Sequence, residues 1–173
     1  LWGIRIEGGN KVSVDERMVH DIVQKVMANM QISGSVSGMH GVFKDMNDAI
    51  NASIEAQKKV CTMTLDQREQ IISLIRKKTH ENAEILANMG VNETGMGNVG
   101  DKILKHHLTA DKVPGTEDIS TIAWSGDRGL TLVEMGPFGV IGAITPATNP
   151  SETVICNCIG MLAGGNTVVF NPH

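Results

Sequence analysis

One loop holds the residues best suited to chemistry: Thr145-Pro146-Ala147-Thr148-Asn149-Pro150-Ser151. It follows Val140-Ile141-Gly142-Ala143-Ile144, an apolar run that reads as a buried strand ending at Thr145. It precedes a helical pattern from Glu152 to Leu162. In an open α/β sheet, ligands collect at the carboxyl ends of strands, and a helix N-terminus offers free N–H groups to anions. Pro150 restricts the backbone of Asn149 to extended geometry. An amide fixed in that way can donate a hydrogen bond to a developing oxyanion. The competing role is structural. Asn149-Pro150-Ser151 also has the form of a helix cap with proline in the first turn, and on local pattern alone that is the commoner use of such residues.

Other candidates carry less. Gly136, Gly139 and Gly142 precede and enter the strand, so they do not form a phosphate-cradling turn after one. His106 and His107 are neighbours, and neighbours on a helix point about 100° apart. They read as surface histidines, and no metal site is expected. Glu93 and Glu134 have nothing local to separate them from solvated carboxylates. The spacing Cys156-Asn157-Cys158 is not Cys-x-x-Cys, and the one other cysteine is Cys61. Cys158 falls on an apolar helix face and reads as packing. The odd count, with no apolar leader in Leu1 to Ser13, predicts reduced thiols in a cytoplasmic protein.

The elements that must position the loop follow from composition and periodicity. The chain has 173 residues, with 15 Lys+Arg against 19 Asp+Glu and a formal charge of −4. Hydrophobic residues make up 41% and charged residues 20%, which excludes disorder throughout. The slight acidity argues against a nucleic-acid surface. No apolar run approaches the roughly 20 residues of a bilayer span. Aromatics are 3%, with no Tyr, against 10 Met and 19 Gly, which suits a helix-rich α/β chain.

Met18, Ile22, Val26 and Met30 recur every fourth residue, which predicts an amphipathic helix over Val14 to Met30. Ser33-Gly34-Ser35-Val36-Ser37-Gly38 then reads as a flexible linker. A second helix is expected from Phe43 to about Val60. Thr64-Leu65-Asp66-Gln67 fits a capping box that opens a third, and the basic run Arg76-Lys77-Lys78 marks its end. A fourth is expected near Asn82 to Met89, stopping at Gly90. A further helical stretch covers Asp101 to Leu108. Leu130 to Val133 is β-rich, and Gly136 to Gly139 reads as a turn. Thr167-Val168-Val169-Phe170 is the next buried strand. Strand, helix and strand at this spacing make a βαβ unit with a parallel pair.

The loop and its flanks carry a resemblance. Gly139-Val140-Ile141-Gly142-Ala143-Ile144-Thr145-Pro146, then Thr148-Asn149-Pro150, then Gly165-Asn166-Thr167-Val168-Val169-Phe170-Asn171-Pro172-His173, resemble the aldehyde dehydrogenase superfamily. Thr-Asn-Pro followed by Phe-Asn-Pro-His is similar to its CoA-acylating branch, which includes propionaldehyde and acetaldehyde dehydrogenases of bacterial microcompartments. Glu93-Thr94-Gly95-Met96-Gly97, Asp101-Lys102 and Pro114-Gly115-Thr116-Glu117 fit the same branch.

The resemblance implies an α/β fold: the N-terminal part of the aldehyde dehydrogenase fold, with helices and the start of a Rossmann-like parallel sheet. It divides the chain into a tethered, encapsulation-like helix and linker over 1–38 and an incomplete NAD-binding domain over 39–173, with an oligomerisation hairpin near 124–138. It implies NAD-dependent oxidation of a short-chain aldehyde, with coenzyme A as co-substrate. Asn149 would be the oxyanion donor. Thr145, Pro146, Ala147 and Thr148 would line the nicotinamide side, and Asn171 and His173 would lie near the adenosine end. Ordinary members carry Lys at the position of Asn171, a departure that fits the CoA-acylating branch. The family's nucleophilic cysteine and Gly-rich cofactor turn come after the segment matching His173, so an N-terminal fragment, inactive alone, is expected. The implied partners are aldehyde, CoA, further copies of the chain and, through Val14 to Met30, a microcompartment shell protein. The implied location is the cytoplasm or the microcompartment lumen. The alternative from another class is a non-catalytic helical module that binds a shell or partner protein.

Overall fold

A computed structural model describes residues 41–173. The helix expected over Val14 to Met30, and the linker after it, lie outside the described residues. Four helices and four strands follow in the order α1 (Met46–Val60), α2 (Leu65–Thr94), α3 (Val99–Lys112), β1 (Ile122–Gly126), β2 (Gly129–Val133), β3 (Val140–Thr145), α4 (Pro150–Ala163) and β4 (Thr167–Pro172). A short 3₁₀ turn, Thr116–Asp118, joins α3 to the strands.

Local chemistry sets most helix starts. Asp45 caps α1 by accepting from the Asn47 N–H at 2.8 Å. That cap places the start three residues past Phe43. The capping box at α2 is present in both directions: Gln67 N–H donates to Thr64 Oγ1 at 3.2 Å, and Thr64 N–H donates to Gln67 Oε1 at 3.0 Å. Asn98 opens α3 by accepting from Asp101 N–H at 2.9 Å, two residues before the expected start.

The two helices expected over Leu65 to Met89 are one, α2, of 30 residues. Gly90 does not stop it. Gly90 is buried inside the helix, where a Cβ would make only ordinary contact with the Lys102 side chain, at 3.9 Å. The stop is Gly95, in the left-handed region at φ 66°. The basic run inside α2 does not mark its end either. Lys77 and Lys78 pair with Glu81 within the helix. Arg76 reaches across to α3, donating to the carbonyls of Ala110 at 2.7 Å and Val113 at 3.0 Å. It therefore caps the C-terminus of a different helix. Arg68 does the same for α4, donating to Ala163 O at 2.6 Å.

β3 and β4 pair in parallel, with Gly142 opposite Val169 and Thr145 opposite Pro172. Helix α4 connects them and packs on α2, where Ile72, Ile159 and Ala163 form the buried core beside Ile75, Ile155 and Leu162. The expectation of a fully buried strand is corrected for β3. Ala143 and Thr145 are buried, but Ile144, on the other face, is 78% exposed. Helix α1 reaches that other face along β4, where Ser53 donates to Thr167 Oγ1 at 2.9 Å. An apolar cleft of about 470 Å³ stays open between Met46, Ile50 and Ile54 of α1 and Val140, Gly142 and Ile144 of β3. Gly136 to Gly139 is an irregular connection, not a turn, with Gly139 at a φ of 114°. Asn166 holds it, because its Oδ1 accepts from the N–H groups of Phe138 at 2.6 Å and Gly139 at 3.0 Å. β1 and β2 form an antiparallel hairpin in which every residue is exposed.

The one-sided core predicts an asymmetry in urea unfolding. Ile159→Ala should destabilise by about 2–5 kcal/mol, the usual cost of a truncation that leaves a core cavity. Ile144→Ala, on the open face, should stay within about 0.5 kcal/mol. Equal losses would mean that the core is not where it is drawn.

Candidate functional site

The loop from Thr145 to Asn149 leaves the carboxyl end of β3, and Asn171 to His173 leaves the carboxyl end of β4 beside it. The parallel register makes them neighbours: Ile144 faces Asn171, and His173 N–H donates to Thr145 O at 3.2 Å. All seven residues singled out from the sequence therefore sit at one edge of the pair. Thr145 is 2% exposed, so its side chain supports the loop from within. Pro146, Thr148, Asn171 and His173 are exposed, and Ala147 and Asn149 are half-buried.

Asn149 is the residue before α4, but its side chain makes no capping bond to that helix. Its φ of −142° is extended, whereas its ψ of 61° falls short of the extended range. The reason is that its carbonyl already accepts from Thr153 N–H at 3.1 Å, in the first turn. The amide is turned instead toward α3. Lys105 Nζ donates to Asn149 Oδ1 at 2.7 Å. Asn149 Nδ2 lies 3.3 Å from Thr148 Oγ1, a long contact that engages one N–H at most.

Beneath the loop is a polar cluster that sequence reading missed. Lys102 and Glu152 have side chains only 5% and 6% exposed, with Nζ and Oε1 3.6 Å apart. Lys102 Nζ donates to Thr148 O at 2.9 Å. Glu152 Oε1 has no hydrogen-bond partner among the described residues. His106 is fully buried, which corrects its reading as a surface histidine. Its Nδ1 lies 2.7 Å from Lys102 O, and a carbonyl only accepts, so Nδ1 carries the proton. Its Nε2 lies 2.9 Å from Ser151 Oγ, whose hydroxyl is also 3.2 Å from Glu152 Oε2. His107 turns elsewhere and stacks on His80, with ring centroids 4.9 Å apart.

A signal for this cluster existed. Lys102, Lys105, His106 and Thr109 recur at helical i, i+3 and i+4 spacing, which puts them on one face of α3. The cysteines stand apart from the loop's chemistry. Cys61 and Cys156 are exposed on helix ends and faces, and burial pushes the Cys158 thiol above its ordinary value, which disfavours the nucleophilic thiolate.

The edge therefore presents a fixed amide, a threonine hydroxyl and two exposed hydrogen-bonding side chains at the end of a parallel pair. Comparison with known proteins decides the family, since a profile of the aldehyde dehydrogenase family matches residues 12–173. The chain belongs to the aldehyde dehydrogenase family. It is 46% identical over 167 residues to an acetaldehyde dehydrogenase (acetylating) of Bilophila wadsworthia, covering 91% of this chain and 34% of that protein. A propionaldehyde dehydrogenase from the Clostridium phytofermentans fucose utilisation bacterial microcompartment is 78% identical, with a TM-score of 0.74, over 77% of this chain and 31% of that one. A Rhodopseudomonas palustris propionaldehyde dehydrogenase, solved with bound CoA and an acylated cysteine, is 50% identical with a TM-score of 0.74, again over 77% of this chain and 31% of that one. The chain thus spans about a third of the length of the relatives it matches. Its fold is the N-terminal part of the family's α/β fold.

The buried pair gives a prediction on stability. Lys102→Met leaves the Glu152 carboxylate unpaired and should cost about 3–5 kcal/mol. Adding Glu152→Gln removes that charge, so the double variant should melt above Lys102→Met alone. A double variant that melts lower would mean that Lys102 and Glu152 do not compensate each other.

Proposed function

We propose that these residues form the N-terminal, cofactor-side part of an NAD-dependent, CoA-acylating dehydrogenase that converts a short-chain aldehyde, propionaldehyde or acetaldehyde, to its acyl-CoA. The observation that carries this reading is the Asn149 amide. It is held at the carboxyl edge of a parallel pair with its oxygen occupied by Lys105, in a chain closely similar to enzymes of that name.

The chemistry follows from that arrangement. A cysteine thiolate from outside these 173 residues adds to the aldehyde carbonyl, and the carbonyl oxygen gains negative charge. Asn149 has its oxygen turned to α3, so its Nδ2 group is left to donate to that oxygen. Loss of hydride leaves a thioester, and the CoA thiol then takes the acyl group and releases the cysteine. Bound NAD supplies the hydride acceptor. The donors at the edge suit such a cofactor. The Thr148 hydroxyl, the Asn171 amide and the His173 imidazole are exposed and able to bond ribose hydroxyls and a carboxamide. Pro146, Ala147 and Thr148 form the nicotinamide side over the buried Thr145. Asn171 and His173 serve the adenosine end.

The exposed hairpin supports a role in assembly. Ile122, Trp124, Leu130, Leu132 and Val133 all face solvent, and we assign this surface to contact with further copies of the chain. The segment Val14 to Met30 is assigned to a microcompartment shell partner, and the protein to the cytoplasm or the microcompartment lumen.

Three measurements test these assignments. The 173-residue chain, mixed with propionaldehyde, CoA and NAD, should give no NADH absorbance above a blank. Turnover would force Cys61, Cys156 or Cys158 into the catalytic role. In a full-length enzyme carrying this segment, Asn149→Ala should lower kcat by about 10²-fold or more with little change in NAD binding, the scale of one oxyanion donor. A kcat within a few-fold of the parent would return Asn149 to a structural role. For targeting, residues 14–32 fused to a fluorescent protein should collect at co-expressed shells. Replacing Ile22 and Val26 with Glu should disperse the signal by placing charge in the apolar stripe. Uniform fluorescence from the unmodified fusion, with shells present, would sink the shell assignment.

A further inference from the structure

We propose that Lys105 is a positioning residue that fixes which way the Asn149 amide faces, on a loop whose backbone Lys102 pins. The inference rests on the oxyanion-donor reading of Asn149 for its catalytic consequence. Its structural content stands on α3 and the loop alone.

The two ends of an asparagine amide have nearly the same shape, and only the partners decide which end points where. A lysine ammonium has three donors and no acceptor. The Asn149 atom 2.7 Å from Lys105 Nζ must therefore be the oxygen, and the nitrogen must point away from α3. The bond is charge-assisted, and the only other contact of the amide among the described residues, Nδ2 to Thr148 Oγ1 at 3.3 Å, is too long to hold the group by itself. Without Lys105, a hydroxyl at Thr148 could serve either end of the amide, since a hydroxyl both donates and accepts. The orientation useful for an oxyanion, nitrogen outward, would then be one of two.

The frame under the amide is fixed by the next lysine on the same helix face. Lys102 stands one turn before Lys105 and donates to Thr148 O at 2.9 Å. It cannot swing away, because its ammonium is buried beside Glu152 and its own carbonyl accepts from the fully buried His106. Pro150 limits the backbone on the far side of Asn149. With the preceding carbonyl pinned and the following residue a proline, the side-chain amide is the freedom that remains. Lys105 removes it. Lys105 is itself exposed, so replacing it should leave the fold intact.

The test has two readouts. In the 173-residue chain, the Asn149 side-chain amide is followed by ¹⁵N NMR and assigned by its loss in Asn149→Ala. Lys105→Met should move that signal and speed exchange of its protons with water, and Lys105→Arg, which still donates to Oδ1, should restore it. A signal unmoved by Lys105→Met overturns the proposal whatever the kinetics. In a full-length enzyme carrying this segment, Lys105→Met should lower kcat about 10-fold, the scale of one charge-assisted bond, with KM values little changed. In an Asn149→Ala background the same substitution should cost nothing more. A second loss of equal size there would mean that Lys105 acts through another group, and the proposal fails. If Asn149→Ala alone leaves kcat unchanged, the oxyanion reading fails, and the NMR signal still decides whether Lys105 sets the amide.

Discussion

The region around the loop depends on one buried ammonium. Lys102 brings a full charge to a place where its side chain is almost wholly shielded from water. Such a charge is tolerated only when opposite charge and hydrogen-bond acceptors surround it. Glu152 supplies the first, from the opening turn of α4, and Thr148 O the second, from the loop. Each of these contacts constrains something else. Glu152 ties the start of α4 to α3, and Thr148 ties the loop to the same helix. A site that must hold an amide steady at a sheet edge is thus anchored by the demand to neutralise a charge behind it.

How much of this could be read from residues alone divides along range. The capping box at Thr64 and the βαβ order of β3, α4 and β4 were legible, because each is written within a few consecutive residues or in a strict alternation of type. The placement of Thr145 to Asn149 with Asn171 to His173 at one edge was legible for the same reason, since parallel register follows from the unit. The unbroken course of α2 was not. Gly90 has the identity of a stop but lies buried within the helix, and the left-handed stop comes at Gly95. Arg76 has the look of a helix end because it does end a helix, though not its own. His106 was read from its neighbour His107 rather than from its own place on the face of α3 that carries Lys102 and Lys105, and so its burial was missed.

A second pattern explains why short helices can meet a sheet edge without fraying. At the C-termini of α3 and α4, arginines of α2 bond the carbonyls of Ala110, Val113 and Ala163, while residues that follow in sequence bond others such as Gly160 and Leu162. Asn166 organises the approach to β3 from the far end of α4, and also donates to Met161 O at 3.2 Å. Long-range polar contacts of this kind make the long helix α2 a spine to which the βαβ unit is fastened by its ends as well as by the Ile72 and Ile159 core.

The hairpin lies outside that arrangement. All ten of its strand residues are exposed, so its order rests on its own ladder. A two-stranded ribbon in water is at best marginally stable. Its backbone amides should therefore open by local fluctuations at far lower free energy than those of α2, without unfolding of the remainder. Among the described residues, a protease would find a ready foothold at the Asp127-Arg128 tip, and trimming there would spare the helical body.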